Sequence, residues 1–326
     1  MALLLGRDDL EVLLPIPEVI GAMAEAFTLL ARGESAVPLR TVLEVPGHGT
    51  VLIMPARLGQ AGGVGTKVVG VFPGNRDSGL PVVPALYLLI DPETGLPQAL
   101  LDGTTLTRLR TAATSALAAR HLARPESRTL GVFGAGAQAA AHVEAFRTLF
   151  PLERVILKGR DPGRAAACTE ALARTAGVPV SIATDPAEVV READLVVTAT
   201  TAGIPLFDGH DLKPGAHVTA VGAYTRQTRE LDTTTVRRAK VVVDTYQGAL
   251  AEAGDLLIPM AEGSIGRAHV LAELAELVTG ARSIRTSPED ITVFKSVGFA
   301  LEDLAAARLA YQKARAAGRG TPLALH

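Results

Sequence analysis

Apolar residues recur along this chain with two different periods. Residues 18–30 place Ile20, Met23, Phe27 and Leu30 three or four apart behind two prolines, the spacing of an amphipathic helix. Beyond it the runs shorten. Residues 51–54, 64–71, 82–90 and 98–101 are apolar stretches separated by turn chemistry, and Asp91-Pro-Glu-Thr-Gly95 reads as a hairpin connection. Strands linked this closely are expected to pair antiparallel. An alanine-rich helix over 106–122 leads out of the region, and Pro125-Glu-Ser127 reads as a junction.

After the junction the pattern changes to alternating strand and helix. Six apolar runs, 129–133, 154–157, 180–182, 195–199, 217–221 and 240–243, fit a doubly wound, mostly parallel sheet. A last helix over about 299–316 carries Leu301, Leu304 and Leu309 on a common face. The expected class is therefore α/β, with an N-terminal α/β domain over 1–125 and a Rossmann-type domain over 126–299. A length of 326 residues suits two domains.

The most informative stretch is Thr129-Leu-Gly-Val-Phe-Gly-Ala-Gly-Ala-Gln-Ala, an apolar strand running through glycines into a helix. Gly134 permits the tight turn, and Gly136 lets the backbone approach a pyrophosphate. Ala135, Ala137 and Gln138 complete the turn, and the helix N-terminus offers free N–H donors to the phosphates. Ala139 stands where a third small residue serves helix–strand packing. With a helix over 139–149 and a strand over 154–157, the stretch forms the expected βαβ unit.

The end of that second strand meets the adenine ribose in such units, where an acidic residue accepts from the 2′-hydroxyl of NAD. Here Gly159 occupies the place of the acid and Arg160 follows. A 2′-phosphate would meet a cation, which favours NADPH over NADH. The competing assignment leaves Arg160 in solvent and gives the ribose to Asp161.

Composition narrows the function classes. The 32 basic and 34 acidic residues nearly balance, and no basic patch or aromatic platform suggests nucleic acid. Cys168, the single cysteine, cannot form an internal disulfide, and the seven histidines show no metal-ligand spacing. No secretory leader or membrane span is expected, so the protein is expected in the cytoplasm. Hydrolase and kinase motifs are absent, leaving hydride chemistry as the economical hypothesis.

Three cations stand out in the first domain: Arg40, Lys67 and Arg110. Lys67 interrupts an apolar strand and needs a polar partner or an anionic ligand if its face is buried. Arg110 precedes a run of small residues at which a guanidinium can reach a carboxylate or a phosphate.

Taken together, Arg40, Met54-Pro-Ala, Lys67, Arg110-Thr-Ala-Ala-Thr-Ser-Ala, Gly134-Ala-Gly-Ala-Gln-Ala, Lys213-Pro-Gly-Ala-His-Val, Arg229-Glu-Leu-Asp and Phe294-Lys-Ser-Val-Gly resemble the ornithine cyclodeaminase and mu-crystallin family over nearly the whole chain. The resemblance implies a homodimer. Its N-terminal domain, completed by residues 300–326, forms the subunit interface and binds a small imino or amino acid. It further implies that Arg40, Lys67 and Arg110 hold the substrate carboxylate and serve catalysis, and that Thr111, Thr198, Val221 and Ser296 line the cofactor.

Two departures from the cyclodeaminase pattern bear on the reaction. Tyr224 and Leu52 stand where those enzymes carry an aspartate and a glutamate, so a cationic diamine would lose both carboxylate partners. Tyr224 is then a candidate for closing over a substrate ring, or a packing residue. The leading expectation is NAD(P)H-dependent reduction of Δ1-pyrroline-2-carboxylate or Δ1-piperideine-2-carboxylate to proline or pipecolate. Ornithine cyclodeamination, alanine-dehydrogenase-like reductive amination, and non-catalytic retention of NADPH and a ligand are the alternatives.

Overall fold

A computed structural model describes residues 1–59 and 62–324, apart from the side chain of Arg76. The chain divides into two compact units, residues 1–111 with 300–326 and residues 112–299. The division falls inside a helix, after Thr111, and not at the expected junction near residue 125.

The first unit opens with β1 (Ala2–Leu5), α1 (Arg7–Leu13) and α2 (Ile16–Ala31). The short β2 (Ser35–Ala36) precedes a meander of β3 (Thr41–Val45), β4 (Gly49–Leu58), β5 (Val64–Val71), β6 (Ala85–Ile90) and β7 (Pro97–Asp102). Neighbours from β3 to β7 pair antiparallel, as the short connections require. The strand expected from residue 82 begins its regular pairing at Ala85, because Pro84 has no N–H to return to the ladder. The helix α3 (Gly103–Leu122) follows and runs into the second unit.

Alternation along these strands sorts the sheet into two faces. Leu52, Met54 and Ala56 on β4, Lys67 and Val69 on β5, Tyr87 and Leu89 on β6, and Ala99 and Leu101 on β7 are buried. Among the described residues Lys67 is thus the one charged side chain on an otherwise apolar or aromatic buried face.

The second unit is an eight-stranded sheet in which every neighbouring pair is parallel. Its elements are β8 (Thr129–Phe133), α4 (Ala137–Arg147), β9 (Arg154–Lys158), α5 (Pro162–Thr175), β10 (Val180–Ile182), α6 (Pro186–Glu192), β11 (Leu195–Thr198), β12 (His217–Ala220), α7 (Thr233–Arg238), β13 (Ala239–Val243), α8 (Tyr246–Glu252), α9 (Gly254–Ala261), β14 (Val270–Glu273), α10 (Leu274–Val278) and β15 (Ile291–Lys295). The spatial order is β10-β9-β8-β11-β12-β15-β13-β14. The order reverses between β8 and β11, and such a switch point opens a crevice beyond the strand ends. All six expected strands are present. Two more, β14 and β15, join them.

The chain then returns to the first unit with α11 (Ala300–Ala317) and β16 (Thr321–Leu323), which pairs with β1. Helix α11 covers the buried face of β4, β5 and β6 and packs on α2. Among the described residues no single helix is long and apolar enough to cross a membrane. Helices α1 and α2 pass that test only as a pair bent by 81°.

Candidate active site

Two groups of predicted residues lie in the two units. In the second, β8 ends in the glycine turn. Gly134 has φ +121°, and a Cβ there would lie 2.6 Å from the carbonyl oxygen of Ala199, so only glycine fits. At Gly136 nothing lies within 4 Å of an added Cβ, leaving the backbone open to a close-approaching group. Gly136 is the N-cap of α4, which has no side-chain cap and no acidic residue in its first turn. Those free N–H groups and the positive end of the helix dipole suit an anion. The residues present therefore fit a dinucleotide pyrophosphate. Ala135 and Ala137 complete the turn with side chains too small to obstruct it.

One turn further along α4, His142 braces the helix. Its Nδ1–H donates to the Gln138 carbonyl at 2.8 Å, leaving Nε2 to accept from the Ser115 hydroxyl at 2.9 Å. Burial lowers its pKa to about 4, against the raising effect of the Gln138 carbonyl.

At the end of β9 a Cβ on Gly159 would meet the Ala165 Cβ at 2.9 Å and the Ala135 Cβ at 3.3 Å. The close approach of α5 and the glycine turn thus excludes a carboxylate at this position. Arg160 is exposed. Asp161 is the N-cap of α5, its side chain accepting from the Arg164 N–H at 2.7 Å.

The remaining cofactor-lining candidates sit at the ends of β11, β12 and β15, but two of their hydroxyls face the framework. Thr198 donates to Glu230 Oε2 at 2.8 Å and is fully buried. Ser296 donates to Asp244 Oδ2 at 2.9 Å. Val221 donates its N–H to the Thr198 carbonyl at 3.0 Å. Tyr224 is partly buried against the apolar core of this unit.

In the first unit the structure brings Lys67 and Arg110 together through two acidic residues of α11 that sequence reasoning missed. Arg110 Nε donates to Asp303 Oδ1 at 2.9 Å and Nη1 to Glu302 Oε2 at 2.5 Å. Lys67 Nζ lies 2.8 Å from Asp303 Oδ2 as an ion pair and donates to Thr107 Oγ1 at 3.2 Å. All four charged side chains are at most 5 % exposed. The polar partner expected for Lys67 is therefore Asp303. The advance sign was Glu302-Asp303 between the apolar Leu301 and Leu304 of an alanine-rich helix.

Burial pulls the Lys67 ammonium down to a pKa of about 8, Asp303 opposing the shift and Arg110 reinforcing it. For Arg110, burial acts downward but the carboxylates of Asp303 and Glu302 outweigh it, raising its pKa and keeping it charged. The cluster holds one cation that stays charged at any accessible pH and one that releases its proton just above neutrality.

Thr111, one residue on, donates its hydroxyl to the Thr107 carbonyl at 2.7 Å. Arg40 is half-buried and immediately precedes β3. Its neighbour Thr41 pairs with Ile53, and the next residue of β4, Met54, pairs with Lys67. Two strand spacings, about 10 Å, thus separate the Arg40 and Lys67 backbones.

The model of the ornithine cyclodeaminase/mu-crystallin family matches residues 2–318. A Δ1-pyrroline-2-carboxylate reductase of Bacillus cereus is 36% identical over 320 residues, 98% of either chain. The structure of Thermococcus litoralis Δ1-pyrroline-2-carboxylate reductase in complex with NADH and L-proline is similar with a TM-score of 0.97 and 42% identity. That match covers 98% of this chain and 100% of the other. An archaeal alanine dehydrogenase dimer with bound NAD gives a TM-score of 0.94 and 34% identity over 100% of this chain and 99% of that one. The chain belongs to the ornithine cyclodeaminase/mu-crystallin family.

Proposed function

We propose that this protein is an NAD(P)H-dependent ketimine reductase that converts a cyclic imino acid, Δ1-pyrroline-2-carboxylate or Δ1-piperideine-2-carboxylate, to proline or pipecolate. The observation that carries this reading is the buried pairing of Lys67 and Arg110 with Glu302 and Asp303 of α11. Reduction of such an imine needs a cation for the carboxylate, a proton for the ring nitrogen and a hydride for C2. The nicotinamide cofactor supplies the hydride when bound, and the protein supplies the rest.

Arg110 keeps its charge at any accessible pH, and its planar guanidinium has donors beyond the two spent on Glu302 and Asp303. It is our candidate for holding the substrate carboxylate, with Arg40 assisting. A pKa of about 8 suits Lys67 to giving up a proton near neutral pH, a general acid's requirement, and to sharing in carboxylate binding. Asp303 fixes that ammonium in place. The Bacillus cereus relative bears the name of this reaction, and the Thermococcus protein holds NADH with proline, the product expected here.

The same cations would suit a 2-oxo acid, and the archaeal alanine dehydrogenase supports reductive amination as the second reading. Ornithine cyclodeamination fits less well. Leu52 is buried on the apolar sheet face and Tyr224 against an apolar core, so neither position offers a carboxylate to a diamine.

NADPH is the favoured cofactor and NADH the alternative. Asp161 is engaged in capping α5, which weakens its claim to the ribose, and Arg160 remains for a 2′-phosphate.

A second copy of the chain is the proposed partner. The outer face of the first sheet leaves a cross-strand row of Ile53, Val68 and Leu86 exposed, with Leu43 on the same face of the adjoining β3. A contiguous apolar patch of this kind marks an interaction surface.

The test is NADPH oxidation at 340 nm with Δ1-pyrroline-2-carboxylate, beside NADH, and beside ammonia release from ornithine with NAD. Imine-dependent oxidation without ammonia is expected. Ammonia and proline from ornithine would overturn the reductase reading.

A further inference from the structure

The Arg229-Glu-Leu-Asp segment has no part in the chemistry above, yet Glu230 is a buried carboxylate that accepts four hydrogen bonds. Its Oε1 accepts from the Thr200 N–H and hydroxyl, both at 2.7 Å. Its Oε2 accepts from the Thr198 hydroxyl and the Gly222 N–H, both at 2.8 Å. Thr198 closes β11 and Gly222 follows β12, so one side chain ties the ends of two neighbouring strands. Through Thr200 it also fixes Ala199, whose carbonyl oxygen packs against Gly134 so closely that no Cβ fits between them.

The carboxylate is itself anchored. The backbone N–H groups of Glu230 and Leu231 donate to Asp255 Oδ1 at 2.7 and 2.8 Å. Asp255 Oδ2 lies 2.8 Å from the Nζ of Lys295 on β15, and Lys295 donates to the Ala223 carbonyl at 2.5 Å. Gly222 admits no side chain, because a Cβ would lie 2.4 Å from Glu230 Oε1 and from the Thr200 carbonyl oxygen. Thr198, Gly222 and Lys295 sit at or just past the strand ends, where a doubly wound sheet takes its ligand.

We propose that Glu230 is a positioning residue for the dinucleotide: it holds the ends of β11 and β12 in register with the glycine turn without touching cofactor or substrate. The proposal rests on the dinucleotide reading of this unit. Two of the four donors are backbone amides that cannot turn away. An amide side chain at position 230 would set an NH2 group against at least one donor.

Glu230→Gln is therefore expected to raise the dissociation constants of NADPH and NADH about tenfold, measured by dinucleotide fluorescence titration. The KM for the dinucleotide should rise with them. The turnover number at saturating dinucleotide should stay within about threefold, a split that general unfolding would not give. Glu230→Asp, which keeps the charge, should recover part of the affinity.

A folded Glu230→Gln variant with wild-type dissociation constants overturns the proposal. If that variant does not fold, Thr200→Val removes a single hydroxyl donor and is expected to weaken dinucleotide binding several-fold. Unchanged affinity in that variant also overturns it. Because binding is read without the imine, a wild-type protein that holds NADPH but reduces no imino acid would defeat the proposed reaction and leave this test standing.

Discussion

The two units both bury charged side chains, yet they satisfy them by different means. In the first, Lys67 and Arg110 are met almost entirely by the side-chain charges of Glu302 and Asp303 on α11. In the second, Glu230 accepts backbone N–H groups and hydroxyls, and Asp255 accepts two backbone amides before it meets Lys295. Side-chain ion pairs can exchange partners with an incoming carboxylate, whereas a carboxylate bound to backbone amides cannot let go without moving strands. The first arrangement is suited to chemistry and the second to holding a cradle in shape.

The largest effect expected from this contrast is on catalysis. Lys67→Met should lower turnover of the imine by about 10²- to 10⁴-fold, the range for removing a general acid, while the dinucleotide dissociation constant stays unchanged. Lys67→Arg separates the two roles proposed for the ammonium. It keeps a cation for the carboxylate but cannot release a proton near pH 8, so substrate KM should hold while turnover falls. Equal loss of both would make Lys67 a binding residue only.

Lys295→Met probes the framework of the other unit. It leaves Asp255 buried without its cation, and removing one partner of a buried pair costs about 3–5 kcal/mol. Denaturant unfolding should register that loss in the second unit. A loss below about 1 kcal/mol would mean that the backbone donors alone satisfy Asp255, and the contrast would narrow.

Opposite pH limits sharpen the comparison further. In the first unit, activity should fall as pH rises through about 8, where Lys67 loses its proton. Its folded pKa lies below the unfolded value, so this group's effect on stability runs the other way. Its contribution rises as pH climbs from about 8 to 10.5, because there the unfolded chain binds the extra proton.

Two buried histidines set the acid limit in the second unit. Burial lowers His142 to about 4, and burial with nearby Arg285 lowers His217 to about 3. Both have folded values below 6.5, so their stabilisation is complete above that pH and is lost as pH falls toward 4 and 3. The loss should reach about 3 kcal/mol or more for each, read from denaturation midpoints between pH 7 and 4. His142→Gln should flatten part of that slope.

How much of this was legible in the sequence follows from the same physics. The glycine turn and all six expected strands of the parallel sheet were readable, because a tight turn restricts residue type and each strand is a short run with apolar residues between turns. Strand β15 escaped notice as a strand. Its Thr292 and Lys295 break the apolar run, and their partners His217 and Asp255 lie 75 and 40 residues away. Glu302 and Asp303 were missed for a related reason. A buried acid is identified by the cation it meets, and the cations stand 192 or more residues earlier, on β5 and α3. Lys67 and Arg110 were singled out because they were anomalous locally, but nothing local named their partners.

The smallest expected effect concerns Arg160. A guanidinium on an exposed loop competes with water for a phosphate, and its gain is modest beside that of a buried pair. Arg160→Ala should therefore weaken NADPH binding about tenfold while leaving NADH within about twofold. The ratio of the two dissociation constants is the informative quantity, since a disturbed glycine turn would weaken both together. Gly159→Ala supplies that contrast. Its Cβ would press on Ala165 and Ala135, shifting the end of β9 against the turn, so both dinucleotides should suffer alike. If Arg160→Ala instead leaves the ratio unchanged, the 2′-phosphate is not read at this loop, and the absence of an acid at position 159 reflects packing alone.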